Sequence, residues 1–117
     1  MAIILTVDDE QHILDIITKY LTKKGYDVKA CLGGEEGLAF LESGEHFDVA
    51  ILDMKMPKVD GATLFKYIRD RDANIPIIIV TGSLGQKSKE LKPDVFMVKP
   101  IDLIKLQEEI DRMIKNG

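Results

Sequence analysis

Residues 47–61 read Phe47-Asp48-Val49-Ala50-Ile51-Leu52-Asp53-Met54-Lys55-Met56-Pro57-Lys58-Val59-Asp60-Gly61. Phe47–Leu52 is a short apolar run of the kind that forms a strand buried on both faces. It stops abruptly at a carboxylate, Asp53, which opens a turn into Met56-Pro57. Gly61–Arg71 then places Leu64, Phe65 and Ile68 on one face of a helix. A buried strand, a polar turn and an amphipathic helix make one β-α unit, and its repetition in both directions sets the fold class.

Toward the amino terminus, Ala2–Val7 is a first strand, followed over residues 9–24 by Ile13, Ile16, Ile17, Tyr20 and Leu21 at helical spacing, with Gly25 as the stop. Tyr26–Cys31 reads as a second strand, and Gly34–Ser43 as a helix with Leu38, Ala39 and Leu41 inward. Toward the carboxyl terminus, Ile75–Val80 is the fourth strand and Asp94–Val98 the fifth. A last helix over 102–114 buries Leu103, Leu106, Ile110, Met113 and Ile114, with Asp102 as its N-cap. Residues 82–93 carry only Leu84 and Leu91 as apolar anchors, so this crossover is expected to hold a fourth helix of one to two turns, or a mobile segment. Five strands alternating with helices imply an α/β domain: a five-stranded parallel sheet with helices on both faces and right-handed crossovers.

At 117 residues, a single domain spanning 1–117 is expected. Hydrophobic residues at 45% and charged residues at 31% exclude a disordered chain. The longest apolar runs, Ala2–Val7 and Ile75–Val80, are far shorter than the ~20 residues of a membrane helix, and Met1 leads straight into a strand with no basic leader. One cysteine, Cys31, excludes an internal disulfide framework and suits a reducing compartment, so a cytoplasmic protein is expected. The formal charge of −4, with no concentrated basic face, argues against binding nucleic acid. Cys31 reads as a small buried hydrophobe, His12 as a surface residue, His46 as a loop residue too far from His12 to share a metal, and Met54 and Met56 as packing residues. Gly33-Gly34 reads as a turn, with no lysine to make it a phosphate loop.

In an open parallel sheet, ligands bind beyond the carboxyl ends of the strands, where the strand order reverses. Strand one ends in Asp8-Asp9, strand three in Asp53, strand four in Thr81 and strand five in Lys99. Taken singly these are ordinary residues: Asp8 or Asp9 could merely cap the first helix. Together they gather three carboxylates, a hydroxyl and an ammonium on one rim. Three clustered carboxylates repel one another unless a cation joins them, and hard oxygen ligands favour Mg²⁺. Charges of −3, +1 and +2 then cancel. A carboxylate beside Mg²⁺ and a lysine is a competent phosphoryl acceptor, with Thr81 able to donate to a phosphoryl oxygen.

The chain resembles a response-regulator receiver domain, the phosphoacceptor module of two-component signalling. The residues that carry the resemblance are Asp8-Asp9, Asp53 with Met56-Pro57 and Asp60-Gly61, Thr81, and Lys99-Pro100. The resemblance covers essentially the whole chain and implies a flavodoxin-like sheet of order 2-1-3-4-5. It implies that Asp53 is the phosphoacceptor and that Asp8, Asp9, Asp53 and the backbone carbonyl of Lys55 hold Mg²⁺, with Mn²⁺ as a substitute. It implies further that Lys99 pairs with a phosphoryl oxygen and that Thr81 and Phe96 form the switch. The Lys99–Pro100 bond is expected to be cis. The implied partners are a histidine kinase or histidine phosphotransfer protein, and a downstream protein or an output domain absent from this chain. The domain would catalyse only its own phosphorylation and dephosphorylation, without turning over an external substrate.

Two departures stand out. Thr81 and Lys99 are 18 positions apart (99 − 81), about one helical turn fewer than is usual, which removes residues from the crossover at 82–93. Lys55 and Ser83, two positions after Asp53 and Thr81, are expected to alter the lifetime of the phosphorylated state. A phosphatase-like enzyme would have a second acid where Lys55 stands, and the acidic loop after strand one would repel the phosphate of a flavin nucleotide. A degenerate receiver acting as a phosphorylation-independent interaction module is the alternative.

Overall fold

A computed structural model describes residues 1–82 and 90–116. Its strands are β1 (Ile3–Asp8), β2 (Asp27–Leu32), β3 (Val49–Asp53), β4 (Ile77–Thr81) and β5 (Val95–Val98). The helices α1 (Gln11–Lys23), α2 (Gly34–Glu42) and α3 (Gly61–Arg71) precede a C-terminal helix, Leu103–Asn116. The strands form one parallel sheet in the order β2-β1-β3-β4-β5, as the resemblance implied. The crossover expected to be short or mobile falls mainly on residues 83–89, outside the described residues; Glu90, just after them, is helical and Leu91 is buried.

Alternation along the strands divides the core into two layers. Leu5, Val7, Ala50, Leu52, Ile77 and Ile79 pack with Leu41, Leu64, Phe65 and Ile68 of α2 and α3. Ile4, Val49, Ile51, Ile78, Val80 and Met97 pack with Ile17 and Leu21 of α1 and with Leu106, Ile110 and Met113 of the C-terminal helix. β3 and β4 are buried throughout because helices cover both faces, whereas the edge strand β2 buries only Cys31.

Two inward assignments are corrected. Ile16 is 49% exposed, and Leu14 is buried in its place. Residues 14, 17 and 21 share one stripe of α1, and Ile16 lies a residue outside it. In α2, Ala39 is exposed, and the helix turns Gly34, Gly37 and Leu41 inward. The glycines are there for closeness: a Cβ on Gly37 would stand 2.9 Å from Val7 Cγ1, and one on Gly34 only 1.8 Å from the Val59 carbonyl oxygen. Ile114 is half-buried. Asp102 does cap the C-terminal helix, its Oδ1 accepting from the Lys105 N–H at 3.0 Å.

Candidate functional site

The chain leaves β1 for β2 on one side and returns to β3 on the other, so the carboxyl ends of β1 and β3 lie side by side, with Val7 opposite Leu52. The next residues are Asp8 and Asp53. Asp8, Asp53 and Thr81 are the last residues of their strands, still in register with Leu32, Val80 and Val98. The sequence placed them just past strands that each end a residue later than expected. The difference matters chemically: continued pairing keeps them buried, with 3%, 4% and 1% exposure.

Strand alternation sorts the polar groups by face. Asp8 and Asp53 follow the parity of Ile4, Val49 and Ile51, toward α1 and the C-terminal helix. Thr81 follows Ile77 and Ile79 to the other face, where Phe96, opposite Ile79, is half-buried against the core. Lys99 is fixed by its backbone N–H, which donates to the Thr81 carbonyl at 2.8 Å, and the following Lys99–Pro100 bond is cis.

Lys99 joins the acids. Its Nζ lies 3.1 Å from Asp8 Oδ2, 3.5 Å from Asp53 Oδ2 and 3.0 Å from Glu10 Oε2. Glu10 was not singled out in the sequence, although it closes the acidic run Asp8-Asp9-Glu10. Among the described residues, these three acids bring one carboxylate oxygen each within 4.8 Å of one another. Asp9 and Glu10 are exposed. Neither Asp8 nor Asp9 is the N-cap of α1: that position is Glu10, whose N–H donates to Asp8 Oδ1 at 2.9 Å.

Burial first, then the neighbouring Asp8 and Asp9, push the Asp53 carboxyl up to about 6 against the pull of Lys99. Burial presses the Lys99 ammonium downward, but Glu10, Asp53 and Asp8 outweigh it and hold Lys99 firmly charged. Among the described residues one cation thus serves several acids, and the site is short of positive charge. The all-oxygen donor set and that deficit fit a hard divalent cation such as Mg²⁺.

The loop after Asp53 is closed tightly. Gly61 N–H donates to the Met54 carbonyl at 3.0 Å, and a Cβ on Gly61 would stand 2.2 Å from the Asp53 carbonyl oxygen. Met54 and Met56 are buried in the core beneath it, as packing residues. Asp60 caps α3, accepting from the Thr63 N–H and hydroxyl, each at 2.9 Å. Lys58 takes a left-handed backbone (φ 67°) and reaches Glu35 at 3.2 Å, tying this loop to α2. The Lys55 side chain is exposed; Ser83 is outside the described residues. Cys31 is buried, and its thiol is pushed up to about 11 by burial, then by Glu36 and Glu45. His12 is exposed near Glu10, while His46 pairs with Asp48.

This arrangement has known counterparts. The family model described as the response regulator receiver domain matches residues 4–111. The chain belongs to that family. It is 32% identical over 97% of its length to the alkaline phosphatase synthesis transcriptional regulatory protein PhoP of Bacillus subtilis, and covers 49% of that protein. It spans about half the length of the curated relatives first matched. Among solved structures, a CheY-like response regulator receiver domain protein from Methanospirillum hungatei superposes with a TM-score of 0.89, at 31% identity over 100% of this chain and 99% of that one. The response regulator TrrA of Thermotoga maritima, solved in complex with Mg²⁺-BeF, gives 0.84 at 29% identity, covering 97% and 99%. A receiver domain is a module of two-component signalling, not in general an enzyme that turns over substrate. Among the described residues, no helix is long and apolar enough to cross a membrane.

Proposed function

We propose that this receiver domain is a phosphoacceptor switch in which Asp53 takes a phosphoryl group from the histidine of a kinase or phosphotransfer protein. The observation that carries the reading is a buried Asp53 held beside Lys99 and Asp8 at the strand-order reversal. An Asp53 carboxylate oxygen forms the new bond to phosphorus. The P–N bond of the donor breaks, its electron pair stays on the imidazole nitrogen, and an acyl phosphate results. Lys99, already 3.5 Å from Asp53 Oδ2, stabilises charge on the transferring oxygens. Asp8, Asp9, Asp53 and the Lys55 carbonyl would hold Mg²⁺, or Mn²⁺ in its place. When bound, the metal supplies further charge neutralisation at those oxygens.

Thr81, at the end of β4, turns toward the phosphoryl group, and Phe96 on the same face moves inward with it. That motion carries the signal to a downstream protein or to an output domain of a longer chain. The exposed Lys55 side chain, with Ser83, sets how long the phosphoryl group survives; equal dephosphorylation rates for wild type and Lys55→Ala would remove Lys55 from that role. The setting is cytoplasmic, and no external substrate is turned over.

Intact-mass spectrometry after incubation with Mg²⁺ and acetyl phosphate tests the proposal. A single phosphoryl adduct is expected, absent without metal and absent in Asp53→Asn. No adduct with any donor would instead favour a phosphorylation-independent interaction module.

A further inference from the structure

We infer that Glu10 is a positioning residue: it holds the Lys99 ammonium on the solvent side of the site and must release it for the ammonium to serve a phosphoryl group on Asp53. The inference rests on the phosphoacceptor reading and assigns a role to a residue which that reading leaves idle.

An ammonium has three N–H donors, and Lys99 faces three carboxylates. Asp53, the acceptor, is the most distant at 3.5 Å; Glu10 at 3.0 Å and Asp8 at 3.1 Å are nearer. Glu10 and Asp8 differ in how easily they let go. Asp8 is buried, with a side chain 4% exposed, and its other oxygen holds the Glu10 N–H. It cannot leave the site without losing that bond and a buried charge partner.

The Glu10 backbone is equally fixed, its carbonyl accepting from the Ile13 and Leu14 N–H groups. Its side chain is held less firmly: apart from Lys99 its contacts are a long 3.9 Å approach of the exposed His12 to Oε1 and the carboxylates of Asp8 and Asp9 nearby. It makes no capping hydrogen bond to α1, and it is 46% exposed. Water can therefore solvate the Glu10 carboxylate as soon as Lys99 turns away, so that releasing it costs less than releasing the buried Asp8. Glu10 is thus a reversible competitor for Lys99, weak enough to yield to a phosphoryl group and strong enough to slow its arrival.

Two variants separate this role from a general effect of negative charge. Glu10→Gln keeps the length and removes the charge. Glu10→Asp keeps the charge but is one methylene shorter, and at an N-cap position aspartate turns back to the helix N–H groups. With saturating Mg²⁺ and limiting acetyl phosphate, both variants should take up phosphate roughly 3- to 10-fold faster than wild type. A gain in Glu10→Gln alone would mean a field effect and overturn the positioning role, as would unchanged or slower rates in both.

A second readout needs neither metal nor phosphate. In ¹⁵N-labelled, metal-free protein, the Lys99 ammonium protons should exchange with water several-fold faster in both variants. Unchanged exchange would show that Glu10 does not hold Lys99. If wild type itself takes up no phosphate, the phosphoacceptor reading fails, and the exchange measurement alone still decides whether Glu10 grips Lys99.

Discussion

The two ends of the sheet carry ionisable groups arranged to opposite effect. At the amino end, Asp48 and Asp94 each stand one residue before a strand and exchange two hydrogen bonds with the start of its neighbour. Asp48 N–H donates to the Ile3 carbonyl at 2.8 Å while its Oδ2 accepts from the Ile3 N–H at 2.7 Å. Asp94 does the same with Ile77, at 3.0 and 2.8 Å. Each acid also has its own partner: His46 at 2.9 Å from Asp48, and Arg69 at 2.9 Å from Asp94. At the carboxyl end a single lysine is divided among Asp8, Glu10 and Asp53. Acids with partners of their own stitch strands together at one end, while at the other several acids share one ammonium, the deficit that the proposed cation and phosphoryl group would meet. The lesson is that counting carboxylates does not locate a functional site; their unmet demand does.

The carboxyl end should respond most strongly at Lys99. Lys99→Ala removes the ammonium that Asp8, Glu10 and Asp53 share, and phosphorylation by acetyl phosphate should slow by about 10²- to 10³-fold in a stopped-flow or quench assay. A loss below tenfold would show that the ammonium is dispensable.

Asp53→Asn probes the unmet demand as stability. The folded carboxyl sits at about 6, above its ordinary 3.8. Between about pH 4 and 6 the folded state therefore holds more protons than the unfolded one, so stability falls as pH rises through that window. Without divalent metal, Asp53→Asn should remove this loss and unfold about 2–3 kcal/mol less readily than wild type at pH 8, with little difference at pH 4. Urea titrations at the two pH values measure it; equal stability at pH 8 would place the Asp53 carboxylate among satisfied groups.

The opposite end should respond the other way round. Asp94→Ala strands the N–H of the fully buried Ile77 and takes the carboxylate from Arg69, leaving it the Ile75 carbonyl, costing about 1–3 kcal/mol in urea unfolding. Its phosphorylation rate should stay within about twofold of wild type, since this end takes no part in the chemistry. A large kinetic defect would mean the two ends are coupled.

The smallest effect concerns a second structural tie. Tyr26 donates to Asp111 on the C-terminal helix, and its phenol is pushed up to about 12 by burial, then by Asp111. The unfolded chain loses this proton first, so stability drops between about pH 10 and 12 as pH rises. Tyr26→Phe should flatten that slope at a cost under about 1 kcal/mol at neutral pH. An unaltered slope would remove Tyr26 as its source.

Much of this could be read in one dimension because both periods are strong. The run of residues 47–52 and the stripe Leu64, Phe65, Ile68 announce a buried strand and a helix, and the polar residues closing strands one, three, four and five mark the rim. Errors arose where the decisive partner was distant. Gly34 and Gly37 were not singled out as inward-facing, and only Val59 and Val7 standing against them show why no side chain fits there. Asp48 and Asp94 read as members of strands three and five, but each stands one residue before its strand and bonds the start of a neighbouring one, at Ile3 and Ile77. Glu10 looks like the start of a helix, and only the arrival of Lys99, 89 residues later, reveals its second partner.

The alternation of strands and helices, the chemical character of the rim and the resemblance to receiver domains are written along the chain, because hydrophobic period and strand-end polarity are local properties. Which acids share Lys99, how deeply Asp8 and Asp53 are buried, and which end of the sheet is left short of positive charge were decided by tertiary structure alone. Electrostatic demand depends on distance and burial, and both are fixed only when segments far apart in the chain come together.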